Sequence, residues 1–125
     1  MYDLPKYLSE YSNLLVPFLQ NENEDLVFAS CDNLMQLQCQ NLSSEEEQQV
    51  LEDCNRIAKN HEDEYFRYFA LANLGFVGTI EEIPLLEKIR DNDKGWPYTI
   101  GGTMEEIAIK SIQLIEEIYN QQANK

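Results

Sequence analysis

The sequence predicts an all-α protein of about six helices, arranged in antiparallel pairs that stack on one another. Three observations predict it. Apolar residues recur at helical spacing, most clearly in EYFRYFALANLGFVGTIEEIPLLEKI from Glu64 to Ile89, where two amphipathic patterns are joined by a short glycine-bearing turn. Ser/Thr-x-x-Glu sequences, in which a hydroxyl and a carboxylate accept from each other's backbone N–H groups, open three of the patterns. Valine and threonine are scattered rather than alternating, so no strand is expected. A helix pair on so short a turn cannot bury both its faces alone and needs a neighbouring pair on each side.

The first helix is expected from Leu4 to about Gln20, capped by Asp3 and with Pro5 in its first turn, where a missing N–H does little harm. Tyr7, Leu8, Tyr11, Leu14, Leu15 and Phe18 make its buried stripe, and Pro17 should kink or shorten the last turn. The second, about Glu24 to Cys39, carries Leu26, Val27, Ala29, Ser30, Leu34 and Leu37 inward, with Phe28, Cys31 and Met35 broadening that side. So wide an apolar arc implies neighbours on two sides. The third opens at Ser43 and Ser44, with Ser44 and Glu47 as its capping box, and ends near Asn60. Its inward residues are Val50, Leu51, Cys54, Ile57 and Ala58, and Glu46, Gln49, Glu52, Asp53 and Arg56 face outward. The fourth starts at Glu62–Glu64 and ends at Gly75. Thr79 and Glu82 box the fifth, in which Pro84 should bend the start. The last opens with Thr103 and Glu106 and has the cleanest stripe: Met104, Ile107, Ala108, Ser111, Ile112, Ile115, Ile118 and Tyr119. One connector is long, Asp91 to Gly102, and holds the only tryptophan.

At 125 residues the chain is read as a single domain, 1–125. Its 23 acidic and 9 basic residues give a formal net charge of −14, which repels nucleic acid and anionic membrane and speeds encounter with a basic partner. No apolar run approaches the ~20 residues of a membrane span, and the first residues lack a secretory pattern, so a cytoplasmic location is expected. Cys31, Cys39 and Cys54 suggest no disulfide scaffold, and with His61 as the single histidine they fit no familiar zinc spacing. Cys31 and Cys54 are expected as small buried hydrophobes, and His61 as a solvated side chain in a charged connector. No nucleophile elbow, phosphate loop or paired histidine motif is present, and the Glu-Glu pairs at 81–82, 105–106 and 116–117 splay apart on a helix. Neither an enzyme nor a cofactor is expected.

Arg67, Ala70, Leu74, Gly75, Gly78, Ile83, Pro84, Leu85, Leu86, Asp91 and Asp93 together resemble a HEAT-like repeat of the short, phycobilisome-lyase type. The resemblance covers about residues 62–118, with 62–91 the clearest unit, 92–102 an insertion, 103–122 the final helix and 1–60 matching only as helical pairs. It departs from the pattern in the WPYTIGG insertion and in lacking an arginine at the start of the last helix. It implies an α-solenoid whose second helices line a concave side, here Glu45 to Lys59 and Ile80 to Asp91. In this reading Arg67 reaches carbonyls or an Asp of an adjacent turn, and Gly75 and Gly78 supply positive φ at a helix end.

The expected role is contact with another protein. Glu46, Gln49, Asp53, Glu81, Glu82 and Glu87 would form an acidic wall, and Tyr65, Tyr68, Trp96 and Tyr98 would be aromatic anchors, although Trp96 could instead plug the end of the core. The most concrete version is a bacterial immunity protein that covers the cationic substrate surface of a cognate toxin, such as a nuclease. Small acidic helical immunity proteins are similar in general character. The alternatives are a HEAT-like adaptor or assembly factor without a toxin partner, and a small lyase or chaperone for a pigment or cofactor.

Overall fold

A computed structural model describes residues 11–97 and 102–123, and every regular element among them is helical. Helix α1 (Ser12–Leu15) tightens at once into a 3-10 helix, Val16–Gln20, with Pro17 in its first turn. The expected start of this element, from Asp3 through Leu8, lies outside the described residues. The tighter winding turns the inward side to Ser12, Leu15, Val16 and Leu19. Tyr11 and Leu14, expected on that side, are exposed.

Helix α2 (Glu24–Gln36) is capped by the Asn23 side chain, which accepts from the Asp25 N–H at 2.9 Å. It stops three residues before the expected Cys39. Gln38, Cys39 and Asn41 adopt left-handed φ of 56°, 51° and 62°, a conformation that costs a side-chain-bearing residue roughly 1–2 kcal/mol. Compensation comes from Cys39, whose N–H donates to Leu34 O at 3.0 Å while its thiol is buried and donates to Asn73 Oδ1 at 3.4 Å.

Helix α3 (Ser44–Asn60) begins one residue earlier than expected. Ser43, not Ser44, holds the extended cap conformation. Its hydroxyl accepts from Glu46 N at 3.1 Å, and Glu46 Oε1 accepts from Ser43 N at 2.9 Å. Glu45 and Glu47 still sit at the positive end of the helix.

Helix α4 (Glu64–Val77) is capped by Asp63, which accepts from Tyr65 N at 2.8 Å. It runs straight through Gly75, the expected terminator, and ends at Gly78, whose φ of −73° is extended rather than left-handed. Gly75 serves proximity instead: a Cβ there would lie 3.0 Å from Ser111 Oγ and 3.1 Å from Ser111 Cα. The Ser111 hydroxyl donates to Leu71 O at 2.8 Å across the same crossing.

A 3-10 turn, Ile80–Glu82, leads into α5 (Ile83–Asn92). The Thr79–Glu82 box forms as expected. Because the α-helix proper begins at Ile83, Pro84 is in its first turn and forfeits no hydrogen bond. Helix α6 (Met104–Ala123) buries Met104, Ile107, Ala108, Ser111, Ile112 and Ile115. Glu106 N donates to Thr103 Oγ1 at 3.1 Å at its start. The helix outruns the core, leaving Ile118 half-buried and Tyr119 exposed. No helix among the described residues is long and apolar enough to cross a membrane.

Helix α4 is the centre of the packing. It lies along α3, α6 and, over a shorter length, α2, and nine of its fourteen residues are buried. The backbone of α5 packs on α6 instead of forming a close hairpin with α4. What ties α5 to α4 is an ion pair beyond its end. Arg67 Nε and Nη2 donate to Asp93 at 2.8 and 3.1 Å, and Nη1 donates to the His61 and Glu62 carbonyls at 3.1 and 2.9 Å. Arg67 thus does reach both carbonyls and an Asp.

The three cysteines are all free and buried: Cys39 bonds Asn73, Asn73 donates to Cys31 O at 3.0 Å, and Cys54 lies against Cys31. Burial pushes the Cys39 thiol up to about 12, with Glu47 and Cys31 adding to it. Cys54 is also pushed well up, first by its hydrogen bond with Cys31 and then by burial. At pH 8 a thiol of that pKa is ionised in only about one molecule in 10,000, against roughly a quarter for an ordinary cysteine. Alkylation of the native protein at pH 8 is therefore expected to be slow at Cys39 and Cys54, and slow at Cys31 because its side chain is wholly buried, and to become fast only in denaturant. Rapid labelling of the folded protein would contradict the buried cluster.

Candidate functional site

The expected acidic wall divides into separate regions. On α3, Glu46 and Gln49 are half-buried and line a cleft of about 380 Å³ with Asn13, Val16, Pro17 and Gln20. Glu46 is also committed to the helix cap. Asp53 was expected to face outward but is 4% exposed. It accepts from Gln20 Nε2 at 3.3 Å, Gln49 Nε2 at 3.0 Å and Arg56 Nη2 at 3.3 Å. The 3-10 helix Val16–Gln20 covers this turn of α3, so a carboxylate is tolerated there only because its oxygens are supplied with donors. Asp53 joins two elements and is not offered to a partner.

At the α4–α5 turn, Glu82 is also withdrawn from the surface. It is 9% exposed, and its carboxylate accepts from the Thr79 N–H and hydroxyl. Its neighbour Glu81 is exposed and stands on the rim of a groove of about 520 Å³. Phe76, Ile80, Ile118 and Tyr119 supply the apolar lining, and Glu47 is a second acidic residue on the edge. Ile80 is 46% and Tyr119 49% exposed, which puts two large apolar side chains beside carboxylates. Sequence periodicity assigned Ile80, Ile118 and Tyr119 to buried stripes. The available signal was the length of α6, whose stripe continues for more turns than the other helices can cover. Glu87 is exposed on α5, near Arg90 and Glu105 rather than in this groove.

Two of the aromatic candidates, Tyr65 and Tyr68, lie on the first half of α4. Tyr65 and Tyr68 are half-buried, and Tyr68 meets Phe69 edge-on with ring centroids 6.1 Å apart. Desolvation and then the Glu106 charge raise the Tyr68 phenol above its ordinary value. Trp96 is 57% exposed, and its backbone N–H donates to Glu64 Oε2 at 2.8 Å. Pro97, and not Trp96, is the side chain that fills the core there. Tyr98 lies outside the described residues. His61, expected to be solvated, stacks on Phe66 at 4.0 Å and pairs with Glu24 Oε2 at 3.0 Å.

Comparison with known proteins finds no family model that matches this chain, and no similar curated protein or solved structure.

Proposed function

We infer that this domain binds a basic protein partner and neutralises it, through the groove at the α4–α5 turn and the end of α6. The observation that carries the reading is exposed Ile80 and Tyr119 edged by Glu81 and Glu47, on a chain of net charge −14. Apolar anchors supply contact area, flanking carboxylates set register, and the overall charge speeds capture. The most concrete form is an immunity protein, acting in the cytoplasm, that covers the cationic substrate surface of a cognate bacterial toxin. A HEAT-like stack of the helices belongs to the same reading, and the Arg67–Asp93 link is the feature that supports it.

The test is titration of a candidate cationic toxin domain, such as one encoded beside this gene, at two salt concentrations. Affinity should fall steeply as salt rises. Replacing Glu47 and Glu81 together by lysine should weaken binding by roughly 10- to 50-fold. Asp53→Lys and Glu82→Lys are poor probes, since both carboxylates hold the fold together. Equal affinity of the wild type and the double variant would remove the groove from the interface, and salt-insensitive binding would remove acidic capture.

A further inference from the structure

On this strongly acidic protein, one groove is basic. It is a cavity of about 690 Å³ between the C-terminal ends of α3 and α5, above the start of α4. Lys59, Lys88, Lys94, Arg67 and the only histidine line it, and Asp93 is its single acidic wall residue. Four of the chain's nine lysines and arginines are thus in one place.

The fold consumes only some of this charge. Arg67 is fully occupied by Asp93 and by two carbonyls. Lys59 and Lys88 make no ion pair or hydrogen bond through their ammonium groups, and Lys94 reaches only the Asp91 carbonyl, at 3.4 Å. A lysine in a last helical turn commonly serves the negative end of that helix. Here the terminal carbonyls have other donors: His61 N on Ile57 O, Asp93 N on Ile89 O, and Asn92 Nδ2 on Lys88 O. Among the described residues Lys59 and Lys88 are left with no ion pair, and Lys94 has only the exposed Asp91 nearby, over a wall that includes the apolar Leu85 and Ile89.

We propose that this groove binds an acidic, amphipathic peptide segment of a partner protein, its carboxylates on Lys59, Lys88 and Lys94 and an apolar side chain against Leu85 and Ile89. A compact phosphate is a poorer fit. Two helix C-termini converge here, and the nearest helix N-terminus, that of α4, is already capped by Asp63. The three amines also stand on separate elements, which suits charges spaced along a chain.

This site is independent of the groove at Ile80 and Tyr119 and has the opposite salt signature. The net charge of −14 repels an acidic peptide at long range, while the lysines attract it at contact. The screening length falls from about 30 Å at 0.01 M salt to about 8 Å at 0.15 M, so salt removes the repulsion before it removes the contacts. A fluorescent octapeptide alternating glutamate and leucine, titrated into the full chain and read by anisotropy, should bind saturably. Its affinity should be higher at 0.15 M than at 0.01 M salt. Lys59→Gln with Lys88→Gln should weaken it by about 10-fold, as expected for loss of two solvent-exposed charge pairs. Both side chains are solvent-exposed, and an unchanged melting temperature would show the variant folded. Lys110→Gln, on α6, should leave the affinity within about 2-fold. Absence of saturable binding, equal affinity of the double variant, or displacement by low millimolar inorganic phosphate would each overturn the proposal. None of these results bears on capture of a basic domain at the other groove.

Discussion

Replacing Arg67 by alanine is expected to lower the stability of the domain by about 3 kcal/mol, the largest loss expected from removing a single polar side chain here. Arg67 and Asp93 are each only 17% exposed and bonded side-on by two nitrogens. Truncation strands the Asp93 carboxylate and removes the donor to two carbonyls at the α3–α4 junction. It also frees the link between α4 and the end of α5, which the helices themselves barely supply. Lysine should rescue little, since one ammonium cannot reproduce the planar fork. For a chain of this size the loss corresponds to roughly 10 °C in melting temperature. Burial alone would raise the Asp93 pKa, but Arg67 and the Gly95 N–H together hold it below the ordinary carboxylate value. A depressed folded pKa gives stability that is complete above the unfolded value of about 3.9 and is lost as pH falls through the folded one. The wild type should therefore lose stability below about pH 4, and Arg67→Ala should show a shallower acid limb. Identical melting curves for both proteins at pH 7 would show that the pair is not a structural link.

The second large effect is expected at Gly75. A leucine there should cost about 3 kcal/mol or more, because its Cβ and branch must enter space already held by the Ser111 backbone. Helices α4 and α6 would have to separate, breaking the Ser111 hydroxyl bond to Leu71 O. Alanine is the informative control. Its helix propensity gains up to about 1 kcal/mol over glycine, and this offsets part of the crowding. Urea unfolding of the three proteins should rank glycine above leucine by a wide margin, with alanine close to glycine. A stable leucine variant would mean the crossing is looser than the 3.0 Å approach indicates.

Much of the helix content was legible because each helix carries its own periodicity and its own cap. The stripe of α3, that of α6 as far as Ile115, and the Thr79 and Thr103 caps are local features, and the structure keeps them. What failed was set by contacts distant in sequence. Asp53 looks outward on a helical wheel but lies under Gln20, 33 residues away. Gly75 looked like a helix end because nothing near it in sequence announces Ser111. Helix α2 stops early because Cys39 is drawn to Asn73, 34 residues on. The basic groove was equally hidden, since Lys59, Lys88 and Lys94 come together only when α3 and α5 end at the same place. Glu81 was correctly read as exposed, whereas Trp96, for which the sequence left an anchor and a core plug both open, proves exposed. The apolar residues beside Glu81, Ile80 and Tyr119, were read as buried, because periodicity says which side of a helix is greasy and not how far along it the cover extends.

The position of α4 bears on how this molecule comes apart. In an ordinary repeat array each unit touches only its neighbours, so an end can melt while the remainder persists. Here α2 packs on α4 across the intervening α3, and α6 packs on α4 across α5. Helices α2, α3 and α6 all lean on one shared spine, so loss of any of them exposes the same buried surface. Amides within α4 should be the last to take up deuterium, at a rate set by global unfolding, and deleting α6 should leave no residual folded fragment.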